Sequence, residues 1–282
     1  MGVEVDIATV DALLKKLGPS VASAPGERLH YTCRGLLDCD ITALCALAVL
    51  QPNGLDGLVS INLAHNIIGD DGAVALGKAL ASGAPTLRKL ALHENRIGDT
   101  GAAAIARAMC PDGAPNVQTL RIEFNRIGDK GMIALAASWL EDGGQHLSEV
   151  YAAGNEITSD GLTALADALH AAPLLRTLAL DSSVGGNRVG DDGARALCRA
   201  LRKNTAREIT IDLKCNALSP AGIGELRLAE RECSPGVRIL LPAERASALK
   251  RAPPQSEPEQ LGSGMGSDEA AIRTATEDAL SA

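Results

Sequence analysis

Residues 87–109 read LRKLALHENRIGDTGAAAIARAM, and this stretch carries the pattern that organises most of the chain. Leu87, Leu90 and Leu92 lead to Asn95, and Ile97 follows it. The pattern recurs around six asparagines at intervals of 29, 30, 30, 32 and 29 residues: Asn66, Asn95, Asn125, Asn155, Asn187 and Asn216. A period of this length predicts one supersecondary unit that stacks on copies of itself.

Each unit has the residues of one strand and one helix. The apolar pair five and three positions before each asparagine, such as Ile61 and Leu63, predicts a short strand with one buried face. A glycine follows every asparagine by six positions, and Asp or Ser precedes that glycine, which predicts a helix start. Apolar residues ten and fourteen positions after the asparagine predict the buried stripe of that helix. Successive strands should therefore pair in parallel, with the helices stacked on the other side.

Two polar columns run through the units. The asparagine amides are expected to bond backbone groups of their own and the neighbouring unit that would otherwise be buried without partners. The second column consists of aspartates at the predicted helix starts: Asp70, Asp99, Asp129 and Asp191. We interpret them as stabilising those starts, with a cation-binding ladder as the alternative.

The unit at 87–109 resembles the ribonuclease-inhibitor subtype of leucine-rich repeat, and the resemblance covers roughly residues 55–232. It implies an α/β fold, a right-handed horseshoe-shaped solenoid with parallel strands on the concave face and helices on the convex face. Such repeats also occur in NOD-like receptors and in Ran GTPase-activating protein. A GTPase activator acting on a small GTPase, or a regulatory relative of NOD-like receptors, is therefore an alternative function. The activator's repeats often carry paired asparagines at the strand end, whereas Glu94 precedes Asn95 here.

The chain is predicted to have three parts. Residues 1–54 should form an N-terminal capping helix, at 5–17, and a degenerate first repeat in which Tyr31, Cys33 and Leu36 replace the apolar pair and the asparagine. Residues 55–242 should form a solenoid of six repeats with a C-terminal cap. Residues 243–282, rich in Pro, Ser, Gly and charge, are expected to be a flexible acidic tail.

Composition and motifs exclude several classes of function. The net charge of −8 disfavours nucleic acid as a partner. Seven cysteines without paired spacing, a start without a signal-like segment and the lack of a long apolar run predict a cytoplasmic protein that is not bound to a membrane. His30 and Cys33, followed by Cys39 and Cys45, lack zinc-like spacing, so no metal is expected. No cofactor or catalytic motif is present either, which predicts a non-catalytic scaffold or adaptor for a protein partner.

Candidate partner-binding residues occupy positions that the repeat leaves free. They are the bulky residues four and two positions before an asparagine, the arginines directly after one, and the only phenylalanine: His93, Arg96, Arg121, Glu123, Phe124, Arg126, Tyr151 and Arg188. An aromatic ring beside arginines is typical of an interaction hot spot. In the alternative interpretation, Phe124 packs into the bend and the arginines pair with Glu94 and Glu123. Four residues are inserted within DSSVGG, before Asn187, and they form either a contact loop or a neutral insertion without function.

Overall fold

A computed structural model of the chain describes residues 13, 15–17, 28–49, 55–182, 185–203, 208–233 and 235–242. The predicted tail at 243–282 and most of the predicted capping helix lie outside the described residues. Residues 13 and 15–17 are helical, and Leu13 and Leu17 are buried in the core. The domain boundaries at 54 and 242 stay predictions.

Eight short strands of the described chain form one open, parallel sheet in which every strand pairs with its sequence neighbours. They are β1 (Arg28–His30), β2 (Ser60–Asn62), β3 (Lys89–Ala91), β4 (Thr119–Arg121), β5 (Glu149–Tyr151), β6 (Thr177–Ala179), β7 (Ile209–Asp212) and β8 (Val237–Leu240). The pairing keeps equivalent residues side by side, as with Leu90 beside Leu120. The repeat period of the sequence is therefore also the period of the sheet.

A helix connects each strand from β1 to the next. The helices are α1 (Asp38–Val49), α2 (Asp70–Ala81), α3 (Asp99–Ala108), α4 (Asp129–Ser138), α5 (Ser159–Ala168), α6 (Asp191–Lys203) and α7 (Pro220–Glu232). Trp139–Gly143 continues α4 as a π-helical turn, and Leu169–Ala171 continues α5 as a 3₁₀ turn. Strand and helix alternate along one direction, which confirms the predicted α/β solenoid.

The core lies between the sheet and the helices. The central residue of each strand from β2 to β6 is buried, as Leu120 is on β4, and on β7 Ile209 and Ile211 are buried. The predicted helix stripe is buried as well, at Leu76, Leu80, Ile105, Met109, Leu135, Trp139, Leu165, Leu169, Leu197 and Leu201. Small buried residues such as Ala108 lie between the members of each pair and let neighbouring helices approach.

The first repeat corrects one expectation. In β1, Leu29 pairs with Ile61, and the Cys33 amide bonds the Ala64 carbonyl as the His65 amide bonds that of His93. Leu29 and Tyr31 are therefore the apolar pair, and Arg34 takes the asparagine position. The sequence-based alignment was wrong by two residues. This repeat has no asparagine to mark the position of Arg34. The sequence pattern instead aligned Leu36 with the asparagine position, which shifted the predicted repeat by two residues.

Candidate protein-binding site

The six asparagines form a continuous hydrogen-bond ladder behind the strand ends. Asn125 Nδ2 donates to the carbonyls of Leu92 at 3.0 Å and Ile122 at 3.1 Å, and its Oδ1 accepts from the Ile97 amide at 3.0 Å. The other five asparagines make the same kinds of bonds within and between repeats. The predicted role of the asparagine amide is confirmed, and these side chains are occupied by structural bonds.

The aspartate column stabilises helix starts across repeats. Helices begin at the predicted aspartates, but the carboxylate bonds the next helix along the chain. Asp99 begins α3, and its Oδ1 accepts from the amides of Gly128 and Gly131, both at 2.8 Å, at the start of α4. Asp70 does the same for Gly98 and Gly101 at the start of α3. Each carboxylate therefore caps the helix of the next repeat. The close approach also explains the recurring glycine, because a Cβ at position 131 would lie 2.9 Å from Asp99 Oδ1.

The residue before each asparagine turns the chain away from the sheet in the left-handed region. The φ angles are 56° at His65, 54° at Glu94, 52° at Phe124, 63° at Gly154, 121° at Gly186 and 59° at Cys215. A non-glycine residue costs about 1–2 kcal/mol in this conformation. Sequence reasoning missed this feature, and its local signals were the glycines before Asn155 and Asn187. The side chains of His65, Glu94 and Phe124 are thus held at strained positions.

Arg121, Glu123 and Tyr151 form one cluster on the side of the sheet away from the helices, which we call the open sheet face. Arg121 donates from Nε at 3.0 Å and from Nη2 at 2.7 Å to Glu123 Oε1, and its guanidinium carbon lies 5.6 Å from the centre of the Tyr151 ring. Glu123 is only 6% exposed. A predicted surface carboxylate is therefore buried beneath its arginine, which is half exposed.

The second carboxylate oxygen of Glu123, Oε2, is buried without a hydrogen-bond partner. Burial raises the pKa of Glu123, the negative charge of Asp181 adds to this rise, and the bonds from Arg121 oppose it. Burial likewise raises the pKa of Tyr151. Because the guanidinium of Arg121 already binds a carboxylate and stacks beside a ring, it is held in place on the open sheet face.

His93 lies on the neighbouring repeat and contacts a second pair of side chains. Its ring meets the His65 ring edge-on at 5.3 Å, and His65 Nδ1 lies 2.7 Å from Glu94 Oε2. His93 Nδ1 is buried without a partner. Burial lowers the pKa of His93, and the positive charges of Arg121 and His65 lower it further. Its surroundings therefore favour the neutral imidazole of His93 over the charged form.

The residues directly after the first five asparagines form a separate row, which we call the rim row: Ile67, Arg96, Arg126, Glu156 and Arg188. All five side chains are exposed. The three arginines make no side-chain ion pair or hydrogen bond with the described residues. The alternative in which these three arginines pair with Glu94 and Glu123 is wrong, because Glu94 binds His65 and Glu123 binds Arg121.

Phe124 lies between the open sheet face and the rim row. Its ring is 40% exposed and covers Gly154 closely, since a Cβ there would approach Phe124 Cε1 to 2.7 Å. The ring therefore packs on one side and meets solvent on the other. On the next repeat, the inserted segment brings Gly186 against the backbone of Gly154, and Asn187 still occupies its place in the ladder. The insertion thus places backbone against Gly154 without breaking the ladder.

Within the described part of the chain, no group of three or more His, Cys, Asp or Glu residues could hold a metal ion. None of the described helices is both long and apolar enough to cross a membrane.

Comparison with known proteins identifies the repeat. A family model described as "Leucine Rich repeat" matches residues 58–77, 83–106, 113–136 and 183–198. A search of curated proteins gave no match. A crystal structure of an internalin from Listeria monocytogenes is similar at 16% sequence identity, with a TM-score of 0.38, over 71% of this chain and 49% of that chain. The similarity thus spans about half the length of the internalin chain.

The four matched segments coincide with the observed repeats. The first three each span a strand and the helix that follows it, at β2 and α2, β3 and α3, and β4 and α4, and the fourth leads into α6. Together with the parallel sheet and the asparagine ladder, they support repeats of the leucine-rich type, and the fold is an α/β solenoid of such repeats.

Proposed function

We propose that this leucine-rich-repeat protein is a non-catalytic scaffold or adaptor that binds a protein partner through the open sheet face and the adjoining rim row. The proposed contact residues are His93, Arg121, Glu123, Phe124 and Tyr151 on or beside the face. Arg96, Arg126 and Arg188 contribute from the rim row. Stacked repeats present extended surfaces of this kind, which suit a protein better than a small molecule.

The observation that carries this proposal is the conformation and exposure of Phe124. A phenylalanine in the left-handed region is strained, and an exposed ring forgoes part of the stabilisation that burial provides. The bend needs the left-handed conformation but no aromatic ring, since glycine occupies the same position before Asn155. An exposed ring beside Arg126, with Arg121 held rigid by Glu123 nearby, has the aromatic and arginine composition of an interface anchor.

Three finer assignments belong to the same proposal. The repeat is of the ribonuclease-inhibitor subtype, supported by its period of about 29 residues and by α-helices of 10 to 13 residues between the strands from β2 onward. The protein acts in the cytoplasm, supported by seven cysteines that are all free thiols. No contact among the described residues favours the GTPase-activator alternative, so the proposed partner is a protein of unspecified class.

Affinity purification with matched variants tests the proposal. The open-face variant combines Phe124→Gly with Tyr151→Ala, and the helix-side control combines Lys78→Ala with Arg107→Ala, two exposed residues on α2 and α3. Proteins that the wild type and the control retain, but the open-face variant loses, are the expected direct partners.

Calorimetry with one purified partner then gives the size of the effect. Losing Phe124 and Tyr151 should weaken binding by about 1–4 kcal/mol if they are buried anchors, and the control should change it by less than about 0.5 kcal/mol. If the control abolishes binding and the open-face variant has no effect, the helix side is the binding surface and this proposal is wrong.

A further inference from the structure

The rim row differs in charge from the protein as a whole. The chain carries a net charge of −8, yet three of the five rim-row residues are exposed arginines. Arginines elsewhere on the protein are commonly paired, as Arg176 is with Glu208 and Arg202 with Glu232. Arg96, Arg126 and Arg188 have no such partner among the described residues.

The backbone holds these arginines at regular positions. The Arg96 amide donates to the Ile68 carbonyl of the preceding repeat at 2.8 Å, Arg126 donates to Ile97 at 2.8 Å, and Arg188 donates to Ile157 at 2.7 Å. Glu156 makes the corresponding bond to Ile127 at 2.8 Å. Each repeat is thus hydrogen-bonded to the previous one at this row, and successive rim-row residues are displaced by one strand spacing per repeat.

Neighbouring carboxylates are bound elsewhere. The aspartates three residues further along, Asp99 and Asp129, accept hydrogen bonds from backbone amides of the following repeat. Glu94, the residue before Asn95, pairs with His65. The only carboxylate within the row is that of Glu156, which separates Arg126 from Arg188. The row therefore presents three guanidinium groups and one carboxylate, with no internal ion pair to satisfy them.

We propose that the rim row binds an acidic segment of the protein partner, in an extended conformation that runs across the repeats. This inference rests on the proposed function and names the chemistry of its partner. Arg96 and Arg188 are three repeats apart, or about 14 Å at a strand spacing of about 4.8 Å. An extended chain covers that distance with four to five residues at about 3.3 Å each.

The two exposed apolar side chains beside the arginines define what else the segment needs. Ile67 is 38% exposed at one end of the row, and Phe124 is 40% exposed beside Arg126. Carboxylates of the segment pair with the guanidinium groups, and one apolar residue contacts the Phe124 ring. Glu156 repels the segment, and its charge sets a limit on how many successive acidic residues the row accepts.

Fluorescence anisotropy with the full-length protein tests the inference. The probe is a fluorescein-labelled nonapeptide of sequence TETELETET, compared with its counterparts in which every Glu is Gln or Lys. The acidic peptide should bind most tightly, and its affinity should fall as salt is added. Replacing Arg96, Arg126 and Arg188 by Gln should weaken its binding about tenfold, as expected for three exposed charge pairs.

Two control variants make the test specific to the row. Replacing Lys78, Arg107 and Arg199 by Gln removes the same three positive charges from exposed helix-side positions, and should change binding less than about twofold. Glu156→Gln should tighten binding of the acidic peptide about two- to threefold, because it removes the repelling charge.

The inference is overturned if the acidic peptide does not bind, if the Gln or Lys peptide binds as well as the acidic one, or if the two triple variants weaken binding of the acidic peptide equally. Binding of the Gln or Lys peptide that depends on Phe124 would overturn the acidic assignment alone and leave the proposed function standing. The proposed function itself fails in the affinity experiment, where the helix-side control would lose partners and the open-face variant would keep them.

Discussion

Asn125 and Arg126 are adjacent in the chain and belong to two rows with opposite properties. Asn125 is buried, and its amide group binds the backbone of its own and the preceding repeat. Arg126 is exposed, and its side chain binds nothing among the described residues. One row repeats the same residue because the backbone requires its hydrogen bonds, whereas the other changes from Ile67 to Arg96 to Glu156. Residue identity in the rim row is therefore free to serve a partner.

The largest effect should come from breaking the asparagine ladder. Asn125→Ala removes buried hydrogen bonds: the Ile97 amide loses its side-chain partner, and the Leu92 and Ile122 carbonyls keep only their bonds from Asn95 and Asn155. An unmade buried bond costs about 1–3 kcal/mol. We expect a loss of about 3–5 kcal/mol in the free energy of unfolding. Arg126→Ala should change it by less than about 0.5 kcal/mol. Urea unfolding of both variants measures the contrast, and losses of similar size would contradict it.

The aspartate column should show an effect displaced by one repeat. Asp99→Ala removes the acceptor for the amides of Gly128 and Gly131, and a lost cap costs about 1–2 kcal/mol. Hydrogen exchange should quicken at those two amides, at the start of α4, while the start of α3, where Asp99 itself lies, should keep its rate. Asp99→Asn retains an oxygen acceptor and should lose less. Faster exchange at the start of α3 alone would show that Asp99 caps its own helix.

Glu123 should make a smaller contribution that depends on pH. Its pKa is raised in the folded state by burial, so the folded protein holds the proton more tightly than the unfolded chain does. The resulting stabilisation is present below the unfolded pKa of about 4.3 and is lost as pH rises through the folded pKa. Glu123→Gln cannot titrate, so wild type should lose stability relative to this variant as pH rises.

Urea unfolding between pH 4 and pH 7 measures this difference, with the exposed Glu156→Gln as the control. A gap between wild type and Glu123→Gln that widens in favour of wild type with rising pH would contradict the direction of the shift. The comparison with Glu156 distinguishes a carboxylate that is buried on the open sheet face from one that is exposed in the rim row.

The smallest effect concerns the strained bend. At the Phe124 position, Gly accepts a φ of 52° without strain, whereas Ala lacks the ring but keeps the strain. Phe124→Gly should therefore be more stable than Phe124→Ala by about 1 kcal/mol. The Gly variant should differ from wild type by about 1 kcal/mol or less, because relief of strain offsets the lost contact with Gly154. Thermal unfolding ranks the variants, and a more stable Ala variant would show that this residue is not left-handed.

The sequence alone was sufficient for the repeat, the buried positions and the helix starts. Strand and helix periodicity report which side chains face the core, and an asparagine that recurs every 29 to 32 residues indicates a bond needed in every unit. These features depend on residues within one repeat, where spacing in the chain and distance in space agree. Where the asparagine was missing, in the first repeat, the predicted alignment shifted by two residues.

Only the tertiary structure decided which repeats supply each other's partners. Asp99 caps the helix of the next repeat, Glu123 is buried beneath Arg121 rather than exposed, and the arginines of the rim row have no partner in Glu94 or Glu123. Each of these depends on how far one repeat is offset from the next and on the left-handed residue that aims the side chains. The spacing of residues along a periodic sequence is the same whatever the offset between neighbouring repeats. Only the stacked structure therefore determines which groups meet.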